Sequence, residues 1–453
     1  MKPDPRHIAL AVLESWHKHK FTLDSSLKNH EKSMAFLNRN DRNLCNAIIF
    51  GVLRHRESID HTIRAFSDIM PGKMDIKVLY ILRISLFQIQ YMDKIPEFAA
   101  VNTAVETAKR MCGKKTANFV NAVLRKAASG WKNIELPDRS KHKKKFVSIK
   151  YSLPLWLAEK WINAFGFDRT CSLCEQINTI PAITIRANTL KTERNTLAQE
   201  LSPHVRETAL TDHSPWGIRI KGPAVPVHTL DAFEKGLFQV QDEAAQLVAM
   251  LLAPEPEEKI LDACAGNGGK TCHIAQMMKN KGNITALDIR ADKLADLEYE
   301  AERLGMNIID TKACDIVRTS IKDFPSYFDR VLVDAPCTGL GVLRRNPDTK
   351  WKRTKNDMAR LAASQKKILN AASNLVRPGG ILVYAVCSCE KEENEDVIMH
   401  FLKKRKDFSI DEKPPGAMTD SRGFLKTYPE LHDMDGFFAC RMIRKPKPEN
   451  TPH

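Results

Sequence analysis

The sequence predicts a multidomain protein: an all-α bundle over residues 1–134, a small α+β module over residues 145–235, and an open α/β domain over residues 236–446. Three observations carry this. A chain of 453 residues exceeds the roughly 250 to 300 residues at which single cores stop growing. Apolar residues recur at helical spacing in the first third, and strand-like runs are absent there. In the last half, short apolar runs bounded by Gly, Pro and Asp alternate with helical segments, the pattern of a mostly parallel sheet.

The first region is helical throughout. In VNTAVETAKRM, Val101, Ala104, Val105, Ala108 and Met111 share one helical face, with Pro96 near the start. LCNAIIFGVLRHRESIDHTI and IKVLYILRISLFQIQ are apolar enough to be interior helices of a small bundle. In the middle region, SLPLWLAEKW reads as a short amphipathic helix with Trp156 and Trp161, and ITIRANTL, WGIRIKG and GLFQVQD read as short strands. Its aromatic and basic residues suit either a core or contact with single-stranded RNA. In the last region, KILDACAG, NITALDI, FDRVLVDAPC and GGILVYAVCS are the strand runs, and TCHIAQMMKN and KLADLEYEAERLG are helices.

Composition narrows the function classes. The net charge of +15 and pI of about 9.2 favour an anionic partner, nucleic acid before a membrane surface. No apolar run reaches the roughly 18 residues of a membrane span, and the start MKPDPRHIALAVLESW mixes charge into its apolar positions, so a cytoplasmic protein is expected. Eleven scattered cysteines suit reduced thiols. The pair Cys171 and Cys174 lacks a second ligand pair at zinc spacing, and no metal is expected. The run RSKHKKK, Arg139 to Lys145, falls where the composition changes and reads as a basic linker that can also meet RNA.

The stretch LDACAGNGGKT ends like a phosphate-binding P-loop, but the glycine required five positions before Gly269 is Cys264. The loop Gly266-Asn267-Gly268-Gly269 nevertheless follows a strand and opens a helix, so its glycines permit backbone approach to a ligand. Asp288 ends the next strand, 20 positions after Gly268, where a carboxylate can accept both ribose hydroxyls. A nucleoside cofactor fits this pattern, and a dinucleotide would leave two later motifs unexplained. These are DAPC, Asp334 to Cys337, and VCSCEKEEN, Val386 to Asn394. At the ends of two strands they would set Cys337 and Cys387 over one crevice beside Asp334. Strand-end thiols are commonly inert core residues. Two of them beside a nucleoside loop fit methylation at carbon 5 of a pyrimidine, where a thiolate adding at carbon 6 makes carbon 5 nucleophilic. A neighbouring acid would hydrogen-bond the N3 and N4 edge as charge builds.

Two resemblances follow from these residues. GVLRHRESID (Gly51 to Asp60), ILRISLFQI, IPEFAAVNTAVETAK (Ile95 to Lys109) and FVNAVLRK (Phe119 to Lys126) resemble, in order, the NusB family of helical RNA-binding proteins. Residues 145–446 resemble the Sun/Fmu family of S-adenosylmethionine-dependent RNA cytosine-5 methyltransferases, in the bacterial branch that modifies small-subunit ribosomal RNA. The resemblance implies a NusB-like bundle, an RNA-binding α+β module and a Rossmann-like class I methyltransferase domain. It implies that Cys264, Ala265, Gly266, Asn267, Gly268, Gly269, Lys270 and Asp288 bind the methionine part and ribose of the cofactor, and that Asp315 lies near its adenine. It further implies Asp334 at the cytosine edge and cofactor boundary, Cys387 as the nucleophile on carbon 6, and Cys337 as the thiol that assists release. The residues alone leave open which cysteine attacks.

The chain departs from that family twice. Ala265-Gly266-Asn267-Gly268-Gly269-Lys270 stands where the family usually has Ala-Ala-Pro-Gly-Gly-Lys, and Val386-Cys387-Ser388 where it has Thr-Cys-Ser. Cofactor binding is expected to survive the first, and the second removes a hydroxyl beside the nucleophile. Cys389 is expected to be a bystander. After DAPC, the run GLGVLRRNPDTKWKR carries Arg344, Arg345, Lys350, Lys352 and Arg353, which are expected to meet the RNA backbone because the run leaves the strand end that holds Cys337. The target base must then be unstacked. Two other functions compete: an exocyclic amino-methyltransferase, which would carry an aromatic where Cys337 stands, and an RNA-binding or antitermination factor with a decayed catalytic domain. A monomer is the plain expectation for assembly state.

Overall fold

The computed structural model describes residues 4–18, 22–320, 322, 324, 327–415 and 418–446. Residues 1–3 of the amphipathic start lie outside the described residues. The chain divides into two compact units, Met1–Thr179 with Leu343–Lys352, and Ile180–Val342 with Arg353–His453.

The first unit is helical. Helix Ile76–Tyr91 is buried on every side from Val78 to Ile89, which is why its sequence shows no polar face. Asp75 caps it, accepting from the backbone N–H groups of Lys77 and Val78 at 2.9 and 3.3 Å. The charge it carries inside, Arg83, is answered by Asp60 of helix Arg56–Phe66: Nε and Nη2 donate to the two carboxylate oxygens at 2.8 and 2.7 Å. Helices Pro5–Lys18, Arg39–Arg54, Glu97–Cys112 and Lys114–Gly130 contribute their apolar faces to the same core. Helices Lys143–Lys150, Leu155–Phe165 and Phe167–Ile177 also belong to this unit. The compact division therefore falls inside the 145–235 stretch: Val147, Leu157 and Trp161 are buried, and Ser152 Oγ accepts from the Ser58 N–H at 2.9 Å.

The second unit holds two sheets. Four short strands, β1 (Ile183–Ala187), β2 (Glu207–Leu210), β3 (Gly217–Lys221) and β4 (Phe238–Val240), form an antiparallel sheet in the order β2-β3-β1-β4. The larger sheet contains β5 (Lys259–Asp262), β6 (Asn283–Asp288), β7 (Ile309–Ala313), β8 (Phe328–Asp334) and β9 (Val376–Val386). It is completed by β10 (Phe408–Ile410), β11 (Phe424–Lys426) and β12 (Phe438–Arg444). The order is β10-β12-β9-β8-β5-β6-β7, with β11 paired to β12. β5 to β9 run parallel, and β12 lies antiparallel to β9. Helices such as Gly269–Met277, Ala291–Leu304 and Lys355–Ser373 connect the strands, as parallel pairing requires. This is the expected Rossmann-like architecture. The chain leaves β5 for β6 and β7 on one side and returns through β8 and β9 on the other. The reversal falls between β5 and β8, and ligands on such sheets bind outside the carboxyl ends at that point.

Candidate active site

The glycine loop follows β5. Gly266 has φ +54°, and a Cβ built there would meet nothing within 4 Å; Gly268 has φ +81°, and a Cβ there would lie 2.5 Å from Leu297 Cγ. The first glycine therefore bares backbone toward open space, and the second admits the packing of helix Ala291–Leu304. Behind the loop, Arg186 of β1 is buried and donates to the Gly269 carbonyl at 3.1 Å, to Gln239 and Gln276 at 2.9 and 3.1 Å, and to Gln241. Gln241 Nε2 donates to the same carbonyl at 3.0 Å.

A cavity of about 650 Å³ opens at the strand ends. Its lining includes Cys264, Gly266, Asn267, Asp288, Asp315 and Asp334. Asp288 accepts the Gly266 and Arg290 N–H groups at 3.0 and 2.9 Å, one on each oxygen, so it is held in place with lone pairs left for a ligand. Asp315 accepts the Val317 N–H at 3.0 Å and pairs with Arg318 at 3.3 Å. Ala265, Gly268, Gly269 and Lys270, expected at the cofactor, do not line this cavity; Gly269 lines a second one with Asn267. The Lys270 ammonium donates to Asp334 Oδ2 at 2.7 Å and stands 5.1 Å over the Phe437 ring. Burial disfavours its charge, but the Asp334 carboxylate outweighs burial and raises its pKa. Under the loop, burial pushes the Asp262 carboxyl up to about 6, although it accepts from Thr271 Oγ1 at 2.7 Å. Burial, reinforced by Asp262, Asp334, Asp288 and Asp315, pushes the Cys264 thiol well above its usual range.

Cys337 and Cys387 lie past the ends of β8 and β9, with their Sγ atoms 3.2 Å apart. That contact, with burial and nearby Glu393, pushes Cys337 well above its ordinary pKa. The structure thus brings the two thiols together with Asp334 at the carboxyl end of the sheet, past β8, which pairs with the β5 strand of the glycine loop, and past β9, one strand further. Among the described residues, no group of three or more His, Cys, Asp or Glu could hold a metal, and no helix is long and apolar enough to cross a membrane.

Three family models match the chain. Residues 249–443 match the family model described as 16S rRNA methyltransferase RsmB/F, residues 3–129 the NusB family, and residues 153–228 the ferredoxin-like domain of RsmF/B-like methyltransferases. The chain is 35% identical to the probable ribosomal RNA small subunit methyltransferase B of Bacillus subtilis, over 98% of this chain and 99% of that one. It belongs to the ribosomal RNA small subunit methyltransferase B family. The corresponding protein of Synechocystis is 36% identical, over 93% and 94% of the two chains. Among solved structures, that of PH0851 superposes with a TM-score of 0.82 at 26% identity, covering 98% of this chain and 99% of that one. The structure of NSun6 from Pyrococcus horikoshii with SFG gives 0.57 at 25% identity, over 64% and 97%.

In this methyltransferase B family member the basic run after Cys337, expected to meet the RNA backbone, has Arg344 and Lys350 buried instead. Residues Leu343–Lys352 are part of the first unit. Lys350 is 1% exposed, and its ammonium donates to the Arg54 carbonyl at 2.9 Å; burial lowers its pKa to about 7. Trp351 Nε1 donates to the Leu53 carbonyl at 2.6 Å, and Lys352 to the Trp16 carbonyl at 2.6 Å. Arg344 is buried, and its carbonyl accepts from Arg54 at 2.6 Å. The reason is physical: helix Arg39–Arg54 ends in carbonyls without intrahelical partners, and the Lys350 ammonium satisfies that of Arg54 and the helix dipole together while the Trp351 indole satisfies that of Leu53. Arg353 is half-buried and donates to the Thr338 and Cys337 carbonyls at 2.9 and 3.4 Å, so it braces the cysteine loop. Arg345 is also half-buried. Sequence reasoning did not single out Arg186, Gln365 or Glu393 as site residues. Only Glu393, inside VCSCEKEEN, had a sequence signal.

Proposed function

We propose that the protein methylates carbon 5 of a cytosine in small-subunit 16S ribosomal RNA, with S-adenosylmethionine as methyl donor. The observation that carries this reading is the 3.2 Å contact between Cys337 and Cys387 at the carboxyl end of the sheet, where Asp334 and the glycine-loop cavity also lie. An exocyclic nitrogen attacks through its own lone pair as its proton is drawn off by a polar acceptor, and has no use for paired thiols. Carbon 5 needs covalent activation.

The residues fit a nucleoside donor. Gly266 leaves its backbone open, Asp288 can accept ribose hydroxyls, and Asp315 lines the part of the cavity assigned to the adenine. Bound S-adenosylmethionine would supply the electrophilic methyl group. Asn267, Gly268, Gly269, Lys270, Cys264 and Ala265 frame the methionine end. Cys387 as thiolate adds to carbon 6 of the cytosine, forming a carbon–sulfur bond and making carbon 5 nucleophilic. Asp334 has one oxygen on Lys270 and none of the described residues on the other, which suits it to the N3 and N4 edge. After transfer, the carbon 5 proton leaves and the carbon–sulfur bond breaks. Cys337, kept protonated by its surroundings, is suited to the proton movements of that release. In this reading residues 1–134 and 145–235 hold the RNA, and the protein works as a cytoplasmic monomer.

Incubation of the full chain with unmodified 16S ribosomal RNA and methyl-labelled donor, followed by digestion to nucleosides, tests the proposal. Label in 5-methylcytidine supports it; label in N4-methylcytidine or no transfer refutes it. Calorimetric titration with the donor separates a decayed domain from a mistaken RNA substrate.

A further inference from the structure

Glu393 lies between β9 and helix Glu395–Lys404 and is 0% exposed. Its carboxylate collects four donors. Oε1 accepts the Thr338 N–H at 2.8 Å and Gln365 Nε2 at 3.0 Å; Oε2 accepts the hydroxyls of Thr338 and Ser388 at 2.5 and 2.6 Å. Thr338 directly follows Cys337, and Ser388 directly follows Cys387. One side chain thus grips the residue after each thiol.

The grip is anchored on two further elements. Gln365, from helix Lys355–Ser373, also donates to the Pro336 carbonyl at 3.1 Å, and Tyr384 of β9 donates to the Glu393 carbonyl at 2.6 Å. Thr338, Gln365, Tyr384 and Ser388 are each fully buried. Arg353 holds the Thr338 and Cys337 carbonyls from the opposite polarity. A carboxylate can take all four donors, and the short hydroxyl contacts have the length of charge-assisted hydrogen bonds. Neither cysteine loop can move without breaking bonds that the other loop shares.

The geometry points to Glu393 as a positioning residue that fixes the Cys337 and Cys387 thiols against each other. The fixing stands on the structure. Its consequence, that addition at carbon 6 and release share one preset geometry, rests on the function proposed above.

The test has a readout independent of methyl transfer. Diamide oxidises two adjacent thiols to a disulfide, each sulfur giving up its proton and one electron, while the diazene bond of diamide takes up both and becomes a hydrazine. Formation of the Cys337–Cys387 disulfide in the full chain is followed by peptide mass spectrometry for wild type, Glu393→Gln and Glu393→Ala. Glutamine keeps an oxygen for the two N–H donors and can donate to both hydroxyls, so it should cross-link within about threefold of wild type. Alanine should slow cross-linking by about tenfold or more and lower kcat by about a hundredfold, with the KM for RNA unchanged. A folded Glu393→Ala protein that cross-links at the wild-type rate overturns the proposal. If that variant does not fold, Ser388→Ala replaces it: slowed cross-linking supports the grip, and an unchanged rate overturns it. Slowed cross-linking in a chain whose wild type transfers no methyl group to cytosine would refute the function and leave the positioning intact.

Discussion

The Lys270 ammonium sits 2.7 Å from Asp334 Oδ2, joining the helix behind the glycine loop to the end of β8. The Lys270 side chain is 11% exposed and that of Asp334 30%, so neither charge is well hydrated without the other. Removing one partner of such a pair strands the other. Lys270→Met is expected to lose about 2 kcal/mol in urea unfolding, and Lys270→Met with Asp334→Asn is expected to recover most of it. Additive losses in the double variant would refute the coupling.

The two positive-φ glycines of the loop separate binding from folding. A methyl at Gly266 enters open space beside the cavity, whereas one at Gly268 lands 2.5 Å from Leu297 Cγ. Gly266→Ala is expected to weaken calorimetric binding of the donor by about tenfold and to lower Tm only by its left-handed strain, roughly 1 kcal/mol. Gly268→Ala is expected to lower Tm by several degrees, roughly the effect of 1 to 3 kcal/mol of overpacking. The reverse pattern would assign ligand contact to Gly268.

Asp262 gives the fold a pH dependence with a defined sign. Burial raises its pKa from 3.8 to about 6, so the native state binds its proton more tightly than the unfolded chain does. Its contribution to stability is full below pH 3.8 and is lost as the pH rises through about 6. Ionised at pH 8, it costs the fold about 3 kcal/mol. Asp262→Asn can still accept the Cys264 N–H and meet Thr271, so it is expected to raise Tm at pH 8 and to lose that advantage by about pH 4. A wild-type advantage at pH 8 would refute this.

Lys350 distinguishes the observed placement of the basic run from the one expected of an RNA loop. Its ammonium caps the Arg54 carbonyl in the first unit. A cation that neutralises one RNA phosphate contributes about 0.7 to 0.9 to the slope of log affinity against log salt. Lys350→Met is therefore expected to leave the slope for 16S ribosomal RNA unchanged. A drop of that size would restore the RNA-binding role.

The apolar strand runs were legible because β5, β6, β8 and β9 are buried on both faces, and their carboxyl ends carry Asp262, Asp288, Asp334 and Cys387 or its neighbours. β2 was not, because Glu207–Leu210 is largely exposed and lacks an apolar pattern. β7, IDTKA, is hidden by its polar residues in the same way. The cysteine motifs and glycine loop could be read from spacing, since each is local. The fate of Lys350 could not: its acceptor lies 296 positions away and is a backbone carbonyl, which no side-chain pattern announces. Glu393 was visible as one acid among several in VCSCEKEEN, and only the fold reveals that Thr338, Gln365 and Ser388 converge on it.

Two thiols with different duties are central to the proposed chemistry. The most direct measurement mixes 16S ribosomal RNA and donor with wild type, Cys387→Ala and Cys337→Ala, and resolves protein from RNA under denaturing conditions. The expected result is a denaturant-resistant RNA adduct with Cys337→Ala, which can add to carbon 6 but not release, and none with Cys387→Ala. An adduct that persists in Cys387→Ala, or equal methyl transfer by all three proteins, would contradict this division of roles.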